Sequence, residues 1–190
     1  MKEKKLVYGV GINDADYVTR TSSWICPFFR KWKDMLCRCY SEYEQKRSPT
    51  YIGCYVVPEW LYFSKFKIWM EGQPWEGNVL DKDILFPENK EYGPLTCIFI
   101  SAITNGFIVE KSRSDLLVGV SKHKSKYQAR CGDSQGDQKY LGVYETPELA
   151  HKAWLQYKLE QARILATKQT DVRVAKALID RYENYRNYFC

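Results

Sequence analysis

The chain has 190 residues, with 29 Lys and Arg against 23 Asp and Glu, a formal net charge of +6. It is 45% hydrophobic, 27% charged and 15% aromatic, enough apolar material for one sizeable core or two small ones, which excludes disorder as the main state. No run of about 18 apolar residues occurs, which excludes a spanning helix, and the opening MKEKKLVYGVGIND lacks the apolar stretch of a secretory signal, so a cytoplasmic protein with no membrane partner is expected. The modest positive charge permits a nucleic-acid partner without demanding one.

In chain order, residues 1–25 read as an arm with a short extended piece around Leu6–Ile12. From Pro27, a residue suited to a first helical turn, Phe28, Trp32, Met35, Leu36, Cys39, Tyr40 and Tyr43 recur at three- and four-residue steps and predict a helix. A turn at Ser48–Gly53 follows. A second helix is expected over Glu59–Met70, with Trp60, Phe63, Phe66, Trp69 and Met70 on a core-facing stripe and Gly72 and Pro74 as its stop. Two short strands are expected near Val79–Leu85 and Cys97–Ser101, around a loop rich in turn formers. Residues 106–116 read as a linker.

Beyond it the pattern changes to three strand-like runs, Leu117–His123, Tyr127–Cys131 and Lys139–Tyr144, separated by turns at Lys124–Lys126 and Gly132–Asp137. Thr146, Pro147 and Glu148 form the start signal of a helix that should reach about Lys168, and Asp171 should cap a last helix with the stripe Val174, Leu178, Tyr182, Tyr185 and Phe189. The whole is an α+β chain without an internal repeat.

Seven cysteines are spread over the chain, and in a cytosolic setting they are expected to be reduced. Cys37, Cys39, Cys54 and Cys97 could in principle share a four-thiolate site, but their spacing departs from the common zinc modules. Buried thiols are therefore favoured over structural zinc.

Strand side chains alternate between faces. Tyr127, Ala129 and Cys131 should share one face, with Gln128 and Arg130 on the other. In the third run Leu141 and Val143 should share a face, opposite Gln138 and Tyr140. If the apolar faces pack on the following helix, the free face collects Ser121, His123, Gln128, Arg130, Gln138 and Tyr140, flanked by Lys122, Lys124, Lys126 and Lys139. Arg can donate twice to guanine and Gln can pair with adenine in a major groove, while turn lysines can neutralise phosphates. Any solvated face of an antiparallel sheet is also polar, so pattern alone leaves double-stranded DNA one of two readings.

The segment Gly119–Lys158 resembles the three-strand-plus-helix DNA-binding domain of plant ethylene-response factors, and more closely the version attached to phage HNH homing endonucleases. The matching positions are Gly119, Val120, Tyr127, Ala129, Leu141, Gly142, Tyr144, Thr146, Glu148 and Ala150. The resemblance implies insertion of the sheet in the major groove. Plant members are arginine-rich on that face, where this chain has Ser121, Gln128 and Gln138, so the docking mode is implied rather than a target site.

The first half is similar to the same phage group. Trp32 to Tyr40 resembles the opening helix motif, Glu59 to Trp69 the second, and Leu80–Ile84 with Asn89, Tyr92, Pro94, Cys97 and Phe99 the hairpin of the ββα-metal fold. HNH chemistry uses a His to take a proton from water and a divalent metal to steady the leaving oxygen. The usual Asp-His pair is Asp81-Lys82 here, and the only histidines, His123 and His151, lie in the other half. Three readings stand for Asp81, Lys82, Asp83 and Asn89: a divergent nuclease site with Asp81 and Asp83 holding Mg²⁺ or Mn²⁺, a DNA-binding scaffold without cleavage, or an ordinary solvated turn.

The expected architecture is thus a degenerate HNH-like ββα module over 20–106, a three-stranded antiparallel sheet packed on a helix over 115–168, and a C-terminal helix over 170–190. The expected function is double-stranded DNA binding by a phage protein of the HNH endonuclease group, with metal-dependent DNA cleavage open. The alternative is a catalytically inactive relative that binds a host protein, for example as inhibitor of a defence enzyme; exposed aromatic stripes would suit such an interface.

Overall fold

A computed structural model describes residues 6–109 and 115–185. Phe189, the end of the expected last helix, Cys190, and the middle of the 106–116 linker lie outside the described residues. The chain divides into two compact units, residues 1–100 and 101–190.

In the first unit Pro27 occupies the first turn of α1, Pro27–Tyr40. The single helix expected up to the turn at Ser48 is broken: Ser41 is extended, and its hydroxyl accepts from Glu44 N to start α2, Glu42–Arg47. A serine that caps well competes with helix continuation. The next expected helix is split likewise. Pro58–Leu61 form a 3₁₀ turn, Tyr62 is extended and bridges Ile12, and α3 runs over Phe63–Glu71. The second stripe packs as expected, with Trp60, Phe63, Phe66 and Met70 buried, and the buried Trp32 of α1 donates its indole N–H to Trp60 O at 2.6 Å; Tyr43, expected on the first stripe, is instead exposed on α2.

The strands of this unit are very short. β1 (Tyr55–Val56) pairs in parallel with β3 (Glu91–Tyr92), and β2 (Asn78–Asp81) pairs with β4 (Ile98–Ser101). β2 stops earlier than expected because residues 82–90 turn on amides that donate to Asp81 and on the Asn89 side chain rather than on a ladder.

The second unit opens with α4, Ala102–Ile108, where the sequence suggested strand end and linker. Ser101 caps it by accepting from Thr104 N. The buried Lys158 ammonium donates to Phe107 O at 2.7 Å and lies 3.5 Å over the Phe107 ring. An antiparallel sheet follows in the order β5 (Val120–His123), β6 (Lys126–Gly132), β7 (Gln138–Tyr144). α5 spans Pro147–Ala166, with Thr146 accepting from Leu149 N as the start signal predicted. α6 spans Val172–Glu183 under its Asp171 cap and packs on α5 through buried Val174, Leu178 and Tyr182. The last helix is therefore part of the second unit's core. The architecture is α+β, with a three-stranded antiparallel sheet against a helix. Among the described residues no helix is long and apolar enough to cross a membrane.

α5 lies on one side of the sheet, where Val120, Ala129 and Ala150 are buried with Leu116, Tyr127, Leu141 and Tyr144 around them. The helix comes close because the opposing positions are small. Gly119 takes φ +79°, and a Cβ there would fall 2.0 Å from the Trp154 indole. Backbone strain and overlap thus act together, and Gly119→Ala is expected to cost about 2–4 kcal/mol. Urea denaturation measures it; an unchanged midpoint would contradict this packing.

Candidate nucleic-acid interface

The sheet register assigns each strand residue to a side. Val120 pairs with Ala129 and Lys122 with Tyr127, on the α5 side; Ser121 pairs with Gln128 and His123 with Lys126, on the other. Across β6 and β7, Gln128 pairs with Val143, Arg130 with Tyr140 and Gly132 with Gln138. The free side therefore holds Ser121, His123, Lys126, Gln128, Arg130, Gln138 and Tyr140. This is the expected face, with Lys126 added from the flank. Lys124 is exposed at the adjoining turn, while Lys122 and Lys139, which the register puts on the α5 side of the two edge strands, are exposed there.

One assignment is corrected. Leu141 has no partner, because the register shifts between Ala129 and Arg130. Gly142, at φ +126°, completes this bulge, and the Tyr144 hydroxyl donates to Leu141 O at 2.9 Å across it. A bulge adds one residue and reverses the alternation beyond it. Leu141 packs toward α5, while Val143, expected beside Leu141, stands on the free side next to Gln128.

Contacts on the free face are few. Gln128 Nε2 donates to Ser121 Oγ at 3.0 Å, and the Arg130 guanidinium lies 5.9 Å from the Tyr140 ring centre. Tyr140 is 53% exposed, so this pair does not bury the arginine head group. Lys126 forms a surface ion pair with Glu145. Lys124 adopts φ +55° at the tip of the β5–β6 turn. Of the two histidines His123 is exposed on this face, whereas His151 is half-buried, stacks on Trp154 at 5.2 Å and bonds Val118 O through Nδ1 at 2.9 Å. The positive excess follows the same division. Residues 101–190 hold 15 basic and 10 acidic side chains, against 14 and 13 in residues 1–100.

Asp81, Lys82, Asp83 and Asn89 are brought together in the first unit, but mainly by bonds to one another and to their own backbone. Asp81 is 8% exposed, and its Oδ1 accepts from Asp83 N at 2.9 Å and Ile84 N at 2.7 Å. Burial pushes its carboxyl above the usual range, and the two amides pull it back. Lys82 is 5% exposed; its ammonium donates to Asp83 Oδ1 at 2.5 Å and to Asn89 O, and lies over the Tyr92 ring. Asn89 clips the loop through Lys82 O, Glu91 O and Glu91 N. A divalent ion at Asp81 and Asp83 would have to compete with the backbone amides on one carboxylate and the ammonium on the other. Among the described residues no three or more His, Cys, Asp or Glu side chains are grouped to hold one ion.

Cys39, Cys54 and Cys97 are buried in the first core. Burial, with Cys54 beside it, pushes the Cys39 thiol up to about 12, and burial does the same to Cys97. These groups are thiols at neutral pH. Comparison with protein-family models, curated proteins and solved structures gives no match for this chain.

The loop geometry makes Asp81 a hydrogen-bond acceptor for two amides. Asp81→Asn keeps such an acceptor and should unfold at nearly the wild-type urea concentration. Asp81→Ala leaves both amides without it and should cost about 1–3 kcal/mol. Equal losses in the two variants would contradict the assignment.

Proposed function

We propose that this protein binds duplex DNA by laying the free face of β5–β7 in the major groove. The observation that carries the reading is the two-sidedness of the sheet. One side is buried on α5, and the other is open and carries Arg130, Gln128, Ser121, His123 and Tyr140 within a fringe of lysines. Residues 120–144 hold five basic side chains and two acidic ones.

A two- or three-stranded ribbon is narrow enough for a major groove about 12 Å wide, since adjacent strands lie about 4.8 Å apart. In such a pose Arg130 can donate twice to guanine O6 and N7, and Gln128 can pair with adenine. Lys124 at the turn, and Lys122 and Lys139 reaching past the strand edges from the α5 side, would meet phosphates on either side. Lys126 can join them, because an exposed pair such as Lys126–Glu145 is worth less than about 1 kcal/mol and is weakened by salt. The proposal is of binding. The loop at Asp81–Asn89 enters it as scaffold, supported by the engagement of Asp81, Lys82 and Asn89 with the loop's own backbone.

Fluorescence anisotropy with labelled duplexes over a salt series tests this. Arg130→Ala should weaken binding by about 1–3 kcal/mol, and Lys124→Ala should lower the slope of log K against log salt by about one. If both variants bind as the wild type does, or the wild type binds no duplex, the groove reading fails and a protein partner takes its place.

A further inference from the structure

Single apolar side chains are ordinary on protein surfaces. Val143 differs in how it comes to be exposed. Had β7 kept its alternation, Val143 would lie with Leu141 against α5. The bulge, with Gly142 at φ +126°, moves it to the free face, where it is 37% exposed. There it completes a row across the three strands: Ser121 on β5, Gln128 on β6, Val143 on β7.

Chemically this row is a composite. The Ser121 bond uses one of the two Gln128 amide N–H groups and holds the amide at 3.0 Å. The other N–H and the carbonyl oxygen are the donor and acceptor that adenine N7 and N6 require. Directly beside them stand the two methyl groups of Val143. The base paired with adenine carries the one apolar group of the major groove, the thymine C5-methyl. The neighbouring row along β6 is Arg130 with Tyr140, whose guanidinium suits guanine. Rows two residues apart are separated by about 6.6–6.8 Å, close to two base-pair steps of 3.4 Å.

We propose that Val143 is a specificity residue that meets a thymine methyl while Gln128 takes the adenine paired with it, so that the preferred duplex has an A·T pair about two steps from the guanine met by Arg130. This rests on the duplex-binding reading above and adds to it which base is read by which row.

The test uses the full chain and duplexes it selects from a random pool. In the selected duplex each thymidine is replaced in turn by deoxyuridine, which removes only the C5-methyl. At one thymidine the wild type should lose about fourfold in affinity, the worth of one methyl group removed from water. Val143→Ala should bind the thymidine and deoxyuridine duplexes alike. Val143→Thr, which keeps a γ-methyl and a branched strand side chain, should retain part of the discrimination and serves as the folded control. Duplex binding with no deoxyuridine effect in the wild type, or an effect undiminished in Val143→Ala, overturns the assignment of Val143 and leaves duplex binding standing. Absence of duplex binding by the wild type overturns both.

Discussion

The indole of Trp154 lies where any side chain at position 119 would have to be, and the second unit is arranged around that close approach. Gly119, Ala129 and Ala150 carry little or no side chain, so α5 can lie close against the sheet with Val120 and Tyr127 closing the space around it. His151 on α5, Tyr182 on α6 and Tyr185 just beyond α6 gather about the same indole. Tight packing of this kind leaves no room for a slipped register, because a one-residue shift would turn Lys126, Gln128 and Arg130 into the core. The packed side thus determines the chemistry of the open side.

The two polar clusters contrast in how they use their side chains. On the sheet, most hydrogen-bonding groups face solvent, and the contacts among them, Gln128 with Ser121 and Arg130 with Tyr140, orient side chains rather than hide them. In the loop at 81–89 the polar groups turn inward. Lys82 is buried with its ammonium between Asp83 and Asn89 O, and Asp81 holds two amides. Buried polar groups need partners, and these have found them within the loop. Such a cluster fixes the chain between β2 and β3; the sheet face presents groups that a ligand can still use.

Much of this was legible in the sequence where a signal is local or periodic. Thr146-Pro147-Glu148 and Asp171 marked helix starts that the structure keeps, and the alternation in β6 separated Ala129 and Cys131 from Gln128 and Arg130. Signals that depend on competition or on distant partners were not legible. Ser41 and Tyr62 interrupt helices whose apolar spacing continues through them. The β1–β3 pairing spans two residues per strand, too short to show a period. α4 contains Gly106 and β-branched residues, poor helix formers, and is held by contacts from Lys158 and Tyr182 far along the chain. The bulge at Leu141 was missed for a related reason. Gly142 is visible in the sequence, but the unpaired residue exists only in relation to β6, so strict alternation alone puts Val143 on the α5 side. At 81–89 the residues were found, but not that backbone amides and Lys82 would take up their side chains.

The proposed duplex contact is confined to the free face of β5–β7. Amide chemical-shift mapping on the full chain during titration with duplex DNA tests it most directly. Shifts are expected at Ser121, His123, Gln128, Arg130, Tyr140 and Val143, with α6 and the first unit's core unmoved. Shifts confined to α5 and α6 or to residues 1–100 would contradict it.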